Sequence, residues 1–326
     1  MFTGIDSVAG PALWLITVGA LLALLVVDFT LTRRPHEVAL GEAVRWSLFY
    51  IALPLAFTGF VWLRFGSQHG IEYLAGYVVE KSLSVDNLFV FMLLLTAFAV
   101  PAELQQRVLL YGIVGALVLR AVFIALGAAA LARFDWAFLL FGLILVVSAV
   151  RILRAAGSER QSTVDVDRLR SVRLLRRLVP VTADYQGPRL LGRIDGRRAL
   201  TPFAVVVFAV LTTDVVFAVD SVPAVYGITG DPYLVFVTNA FALLGLRALY
   251  FVLHSMLARL VHLNYGLALI LGFIGAKLTL HWAHLQWPGV PEVPTLASLG
   301  VIVLILAGTI ASSLHAARDR HPQRLP

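Results

Sequence analysis

The sequence predicts an all-α fold, a polytopic membrane helix bundle of about nine transmembrane helices that contains two inverted three-helix repeats, and three observations carry the prediction. Hydrophobic residues make up 60% of the 326 positions and charged residues only 14%, far from the composition of a soluble domain. The apolar residues gather into nine runs, 12–31, 43–63, 73–99, 108–132, 134–154, 200–222, 232–254, 261–283 and 296–316, each near the roughly 20 residues that a helix needs to cross a bilayer. Two of these runs carry an acidic motif that recurs across a polar interval. Continuous apolar runs select helices, because barrel strands alternate over about ten residues.

Residues 1–66 hold the first two spans. Only Asp6 is charged before the first, and no small-residue cleavage site follows it, so it reads as an uncleaved helix. Asp28, near its end, reads as a snorkelling or capping residue. Residues 67–154 form the first repeat: Glu80 and Asp86 six apart in EKSLSVDNLFVF, then Arg120 with Gly112 eight residues before it, then Arg151. Residues 155–199 are a basic loop, whose VDVDRLRSVRLLRRL stretch reads either as an amphipathic helix on anionic lipid or as a solvated linker. Residues 200–283 form the second repeat: Asp214 and Asp220 six apart in DVVFAVDSVPAV, then Arg247 with Asn239 eight before it, then Lys277. Residues 284–326 add a last span and a basic tail.

An odd number of helices per repeat makes the second copy enter the membrane in the opposite sense, the arrangement of secondary transporters with a site near the midplane. The formal charge of +7 is explained by topology rather than by nucleic acid. Arg33, Arg34, Arg107, the 155–199 loop, Arg259 and the tail arginines fall on one side, and the other side holds Arg64 and Arg133. The positive-inside rule then puts the amino terminus outside and the carboxyl terminus in the cytoplasm, in a bacterial-type inner membrane.

A carboxylate at the centre of a span costs about 2.5–3.5 kcal/mol on insertion scales, so Glu80, Asp86, Asp214 and Asp220 call for cations or protons. Glu80 shares a helix face with Ser84 and Asn87, and Asp214 with Ser221, since residues three, four and seven apart lie nearly in line. Acids six apart point about 120° from each other, so one regular helix does not bring both to a small ion. Pro223 offers a remedy by releasing the Val219 carbonyl beside Asp220. With Asn87 and Asn239 these are oxygen ligands, suited to magnesium, calcium or manganese. No cysteine is present, which excludes disulfides and thiolate-bound metals. Internal pairing with Lys81, Arg120, Arg247 and Lys277 is the competing reading of the acids, and the two arginines would also suit a gate closed by salt bridges.

His281 and His284 read either as a metal-capturing pair or, with Trp282 and Trp287, as interfacial anchors, and His254 and His262 as interfacial. Gly112, Gly115, Gly266 and Gly272 read as close-packing positions. HExxH, GxSxG, P-loop and GxGD contexts are missing, so no enzyme and no nucleotide-driven pump is expected, and no cofactor.

EKSLSVDNLFVF, TTDVVFAVDSVPAVYGITGD and NAFALLGLRALYFVL resemble the signature segments of the TerC family of integral membrane proteins, with likeness over roughly residues 70–280 outside the variable loop. The resemblance implies a bundle of the lysine-exporter superfamily and manganese efflux from the cytoplasm, with Glu80, Asp86, Asp214 and Asp220 as the acidic positions. Proton exchange through the same carboxylates is the expected coupling, with calcium transport or sodium coupling as alternatives. A different class, a membrane-protein assembly or scaffold factor acting through the basic loop, is implied for plastid relatives. The expected partners are a divalent cation, the bilayer and its anionic lipids, with room for a homo-oligomer.

Overall fold

The computed structural model describes residues 7–31, 40–156, 179–194, 196–246, 262–287 and 289–319, with positions 172, 175, 177, 249 and 250 between them. Nine helices lie among these residues: α1 (Pro11–Leu31), α2 (Leu40–Phe65), α3 (Ser67–Ala97), α4 (Ala102–Arg133), α5 (Trp136–Ala156), α6 (Pro202–Tyr226), α7 (Pro232–Leu244), α8 (Leu263–Gln286) and α9 (Thr295–Asp319). Each answers to one of the nine apolar runs. The protein is an all-α polytopic membrane protein.

Seven of the helices are long and apolar enough to cross a bilayer; α3 and α7 are the others. α3 carries Glu72, Glu80, Lys81 and Asp86 in its length, and α7 has 13 residues. These two are the helices that the rest of the bundle shields. Every α7 residue from Tyr233 to Leu244 is buried. On α1 and α9 large apolar side chains such as Leu15, Ile16 and Leu304 are exposed, as lipid-facing residues must be.

α5 packs along α8 more extensively than any other pair of helices, and α3 meets α6 as α4 meets α7. The ends show how the triplets run. The amino-terminal turns of α3 and α5 and the carboxyl-terminal turns of α4, α6 and α8 all border one cavity. Each of α3 and α5 therefore runs opposite to its counterpart, α6 and α8, as an odd-numbered repeat requires.

The basic segment contains one element that hydrophobic periodicity does not show. β1 (Leu191–Ile194) and β2 (Arg197–Leu200) pair antiparallel, Leu191 opposite Leu200, around Gly196, whose φ of +78° suits glycine. Thr182 N donates to Leu200 O at 2.9 Å, and Tyr185 Oη donates to Phe98 O at 2.9 Å, fastening the hairpin to the end of α3. The candidate amphipathic helix in 164–178 lies largely outside the described residues. Asp28 corrects the expectation of snorkelling: it is buried and accepts from Tyr50 Oη of α2 at 3.3 Å.

The α5–α8 contact rests on two glycines. A Cβ at Gly142 would stand 2.9 Å from the Gly275 carbonyl oxygen, and a Cβ at Gly275 would stand 2.8 Å from that of Gly142. Backbone cannot yield as a flexible side chain does. Gly142→Ala or Gly275→Ala is expected to destabilise the protein by about 1–3 kcal/mol, read as earlier thermal unfolding in detergent. Gly308→Ala, where a Cβ meets nothing within 4 Å, should instead gain up to about 1 kcal/mol of helix propensity. Equal behaviour of all three variants would rule out the backbone contact.

Candidate functional site

Four helices converge on one guanidinium. Arg120, in the middle of α4, is fully buried. Its Nη1 donates to Glu80 Oε1 of α3 and, at 2.7 Å, to Asn239 Oδ1 of α7. Its Nη2 donates to Asp214 Oδ1 of α6 at 3.4 Å. Asn239 Nδ2 donates to Val235 O at 3.0 Å, which turns the amide oxygen toward the arginine. Asn87, with its amide oriented so that both ends are satisfied, accepts from Arg120 Nη2 at 3.2 Å and donates to Leu83 O at 3.2 Å.

Local helix geometry explains why these residues meet. Glu80, Ser84 and Asn87 share one face of α3, and Asp214 and Ser221 share one face of α6; Ser84 and Ser221 are buried with them. Counted formally, the acids around Arg120 outnumber the cation. One guanidinium faces two carboxylates, and each carboxylate spends a single oxygen on it. Glu80 Oε2, Asp214 Oδ2, Ser84 Oγ and Ser221 Oγ make no hydrogen bond with any described residue. A buried polar atom left unsatisfied costs about 1–3 kcal/mol, and more when charged.

The expected ligand set is thus gathered in part, around an internal cation. Glu80, Asp214, Asn87 and Asn239 meet at Arg120, which sequence spacing had placed one helix away as a pairing or gating residue. Asp220 is half-buried further along α6, and the Val219 side chain beside it is 43% exposed. α6 continues through Pro223 to Tyr226, so the expected opening is confined to the one hydrogen bond that proline cannot donate. The Asp86 side chain and Arg247 lie outside the described residues, as does His254. Among the described residues no group of three or more His, Asp or Glu side chains is placed to hold a metal ion.

The two lysines expected to pair with the acids go elsewhere. Lys81 sits next to Glu80 in sequence, which turns it about 100° around the helix. Its Nζ lies 2.8 Å from where a Cβ of Gly245 would stand, close to Tyr50. Lys277 lines a cavity of about 470 Å³ at the α3 amino-terminal end, with Glu72, His69, Asp231, His281 and Glu292. His281 Nδ1 is 2.7 Å from Glu292 Oε1, whereas His284 Nδ1 is 2.6 Å from Val290 O, so the two rings are held by different partners.

Sequence reasoning missed the acids of this cavity. Glu72 is buried and accepts from Thr229 Oγ1 at 2.9 Å. Asp231 caps α7 by accepting from Leu234 N at 3.0 Å and holds Val8 N at 2.6 Å. Burial raises its carboxyl above the ordinary range, against the lowering by those amides and by His69. The signals were present: Asp231-Pro232 is a helix-start pattern, and Glu72 lies two turns before Glu80.

Removing the shared cation should be severe. Arg120→Met leaves two buried carboxylates uncompensated, and a loss of about 3–5 kcal/mol is expected, measured as earlier thermal unfolding in detergent. Adding Glu80→Gln to Arg120→Met should restore part of that loss. Unchanged unfolding of Arg120→Met would show that Glu80 and Asp214 do not carry charge together.

The chain is similar to known membrane proteins over most of its length. The chain is 42% identical over 322 residues to an uncharacterized membrane protein of Mycobacterium tuberculosis, covering 96% of this chain and 81% of the relative. It is 37% identical over 313 residues to an uncharacterized membrane protein of Myxococcus xanthus, covering 96% of this chain and 95% of the relative. It is also 37% identical over 315 residues to Alx of Escherichia coli, provisionally described as a membrane-bound redox modulator, covering 93% and 94%. No solved structure matches it significantly. The model of the integral membrane protein TerC family matches residues 65–321, a stretch that holds all four helices of the Arg120 cluster, and the chain belongs to that family.

Proposed function

We propose that this protein is a secondary transporter that exports divalent metal cations, Mn2+ foremost, from the cytoplasm in exchange for protons. The observation that carries the reading is the buried imbalance of charge. One guanidinium stands between Glu80 of α3 and Asp214 of α6, helices that occupy equivalent places in oppositely running triplets. An interior with a spare negative charge binds a proton or a cation, because an isolated charge there is strongly disfavoured.

Arg120 then acts as a tethered stand-in for the transported ion. When the triplets rock against each other and draw the guanidinium away, Glu80, Asp214, Asn87 and Asn239 present oxygen ligands suited to a hard divalent ion. Asp86, Asp220 and the Val219 carbonyl are the further candidate ligands that the sequence offers, with Ser84 and Ser221 as polar lining and Lys81, Arg247 and Lys277 as candidate charge partners. When the ion leaves, protons or Arg120 restore neutrality. Ca2+ transport or Na+ coupling uses the same donor chemistry. The description of Alx as a redox modulator does not extend to thiol exchange in this chain, which contains no cysteine.

The setting that accompanies this reading is an inner membrane with the amino terminus outside and the carboxyl terminus cytoplasmic, anionic lipid at 155–199, and a homo-oligomer as a compatible state. A second reading, a scaffold for assembling other membrane proteins, draws on the exposed Arg193, Arg197 and Arg198 of the hairpin. Replacing 155–199 by a neutral linker separates the two: an exporter keeps metal resistance, whereas a scaffold loses its partners.

Inverted membrane vesicles test the transport reading. Wild-type vesicles should accumulate Mn2+, and dissipating the proton gradient should reduce that uptake. Asp86→Asn and Asp220→Asn should each abolish it while the protein still inserts. Normal uptake by both variants would end the assignment of the site.

A further inference from the structure

One face of α3 is polar through the middle of the helix and hidden from lipid. Tyr73, Tyr77, Glu80, Ser84 and Asn87 follow one another at spacings of four, three, four and three, and all are buried, with exposures of 0, 4, 0, 0 and 3%. That spacing keeps all five within a sector of about 80° and spreads them over about 21 Å.

Their hydroxyls are unusual within this bundle. Tyr73 Oη, Tyr77 Oη and Ser84 Oγ, with Glu80 Oε2, make no hydrogen bond with any described residue. Buried hydroxyls on other helices are in several cases partnered. Tyr226 Oη donates to Ile124 O at 2.7 Å, Tyr233 Oη and Thr17 Oγ1 are 2.8 Å apart, and Thr238 Oγ1 donates to Leu234 O at 2.9 Å. Buried polar groups in native proteins find partners, and where side chains do not supply them ordered water does. Ser221 Oγ of α6, likewise unpartnered, adds to the same pattern, while Ser47 on α2 is an isolated case.

The seam also has an inlet. Glu72, adjacent to Tyr73, lines the 470 Å³ cavity, and from there Glu80 is two helical turns further in. Gly76, on the same side of α3, lets Thr238 of α7 and Val225 of α6 approach to 3.3 Å of where a Cβ would be, which keeps the walls close.

We propose that the Tyr73–Tyr77–Glu80–Ser84 face of α3 is a hydrated seam through which water, and with it protons or a hydrated cation, passes between the Glu72 cavity and Glu80. The identity of what travels along it rests on the exporter reading; the hydration does not. Tyr73 and Tyr77 are then positioning residues, whose hydroxyls hold the water file at the cavity end.

The natural sequence contains no cysteine, so single-cysteine variants need no prior substitution. Tyr73→Cys, Tyr77→Cys and Ser84→Cys, in membranes, are exposed to a membrane-impermeant cationic methanethiosulfonate and compared with Val79→Cys, which is equally buried but lies off the polar face. Modification at the seam positions at least tenfold faster than at Val79→Cys is expected, and rates equal to that control overturn the proposal. Tyr77→Phe guards against variants that fail to fold. In a hydrated seam it should slow Mn2+ uptake several-fold with unfolding unchanged, whereas later unfolding with unaltered uptake means a dry seam and also overturns it. Rapid seam labelling together with no Mn2+ accumulation by wild-type inverted vesicles would remove the exporter reading and leave the seam standing.

Discussion

The structure depends on how a lipid-embedded bundle tolerates two carboxylates and one guanidinium at its centre. Lipid offers them no solvation, so the helices that bear them must be wrapped by others. That requirement accounts for the layout. α3, which carries four charged residues, and α7, the shortest, are interior, and the helices with the most lipid-exposed apolar side chains stand outside them. The cluster of Glu80, Asp214, Asn239 and Arg120 ties α3, α4, α6 and α7 into one unit through charge-assisted hydrogen bonds.

Such a cluster is better suited to switching than to stability. A buried ion pair seldom outperforms apolar packing of the same volume, while breaking one is expensive. Sharing one guanidinium between two carboxylates goes further, because a single positive charge offsets only one of two formal negative charges. On the exporter reading, a proton or a metal ion would change which arrangement is lowest in free energy, and the oppositely running triplets would supply two surfaces that exchange places around it. The close α5–α8 seam at Gly142 and Gly275 is the part of the bundle least able to open, so relative motion of the triplets would take place about it.

The cavity at the α3 amino-terminal end and the cluster in the middle are linked by one helix face. Glu72, Asp231 and Glu292 collect negative charge where the cavity opens, tempered by Lys277, and the unpartnered hydroxyls of α3 lead inward from it. Polar atoms at helical spacing along a single buried stripe point to a path, whereas scattered ones point to isolated defects in packing.

Local physics determined much of this from the sequence alone. The length of each apolar run settles the helices, because backbone groups in lipid must be satisfied within the segment. Spacings of three, four and seven put Glu80 with Ser84 and Asn87, and Asp214 with Ser221, since helical periodicity is a local property. The family motifs and the opposite sense of the two triplets were legible for the same reason. Tertiary structure alone decided which charge meets which. Whether Arg120 gates from a distance or sits between Glu80 and Asp214, whether Lys277 reaches the centre or the Glu72 cavity, and whether Asp28 snorkels or meets Tyr50 all depend on the rotation and depth of packed helices. The hairpin at 191–200 was hidden likewise, because its hold on the bundle comes from Thr182 and Tyr185 rather than from any pattern of its own. A one-dimensional pattern records which face a side chain occupies, and only the packing of faces chooses its partner.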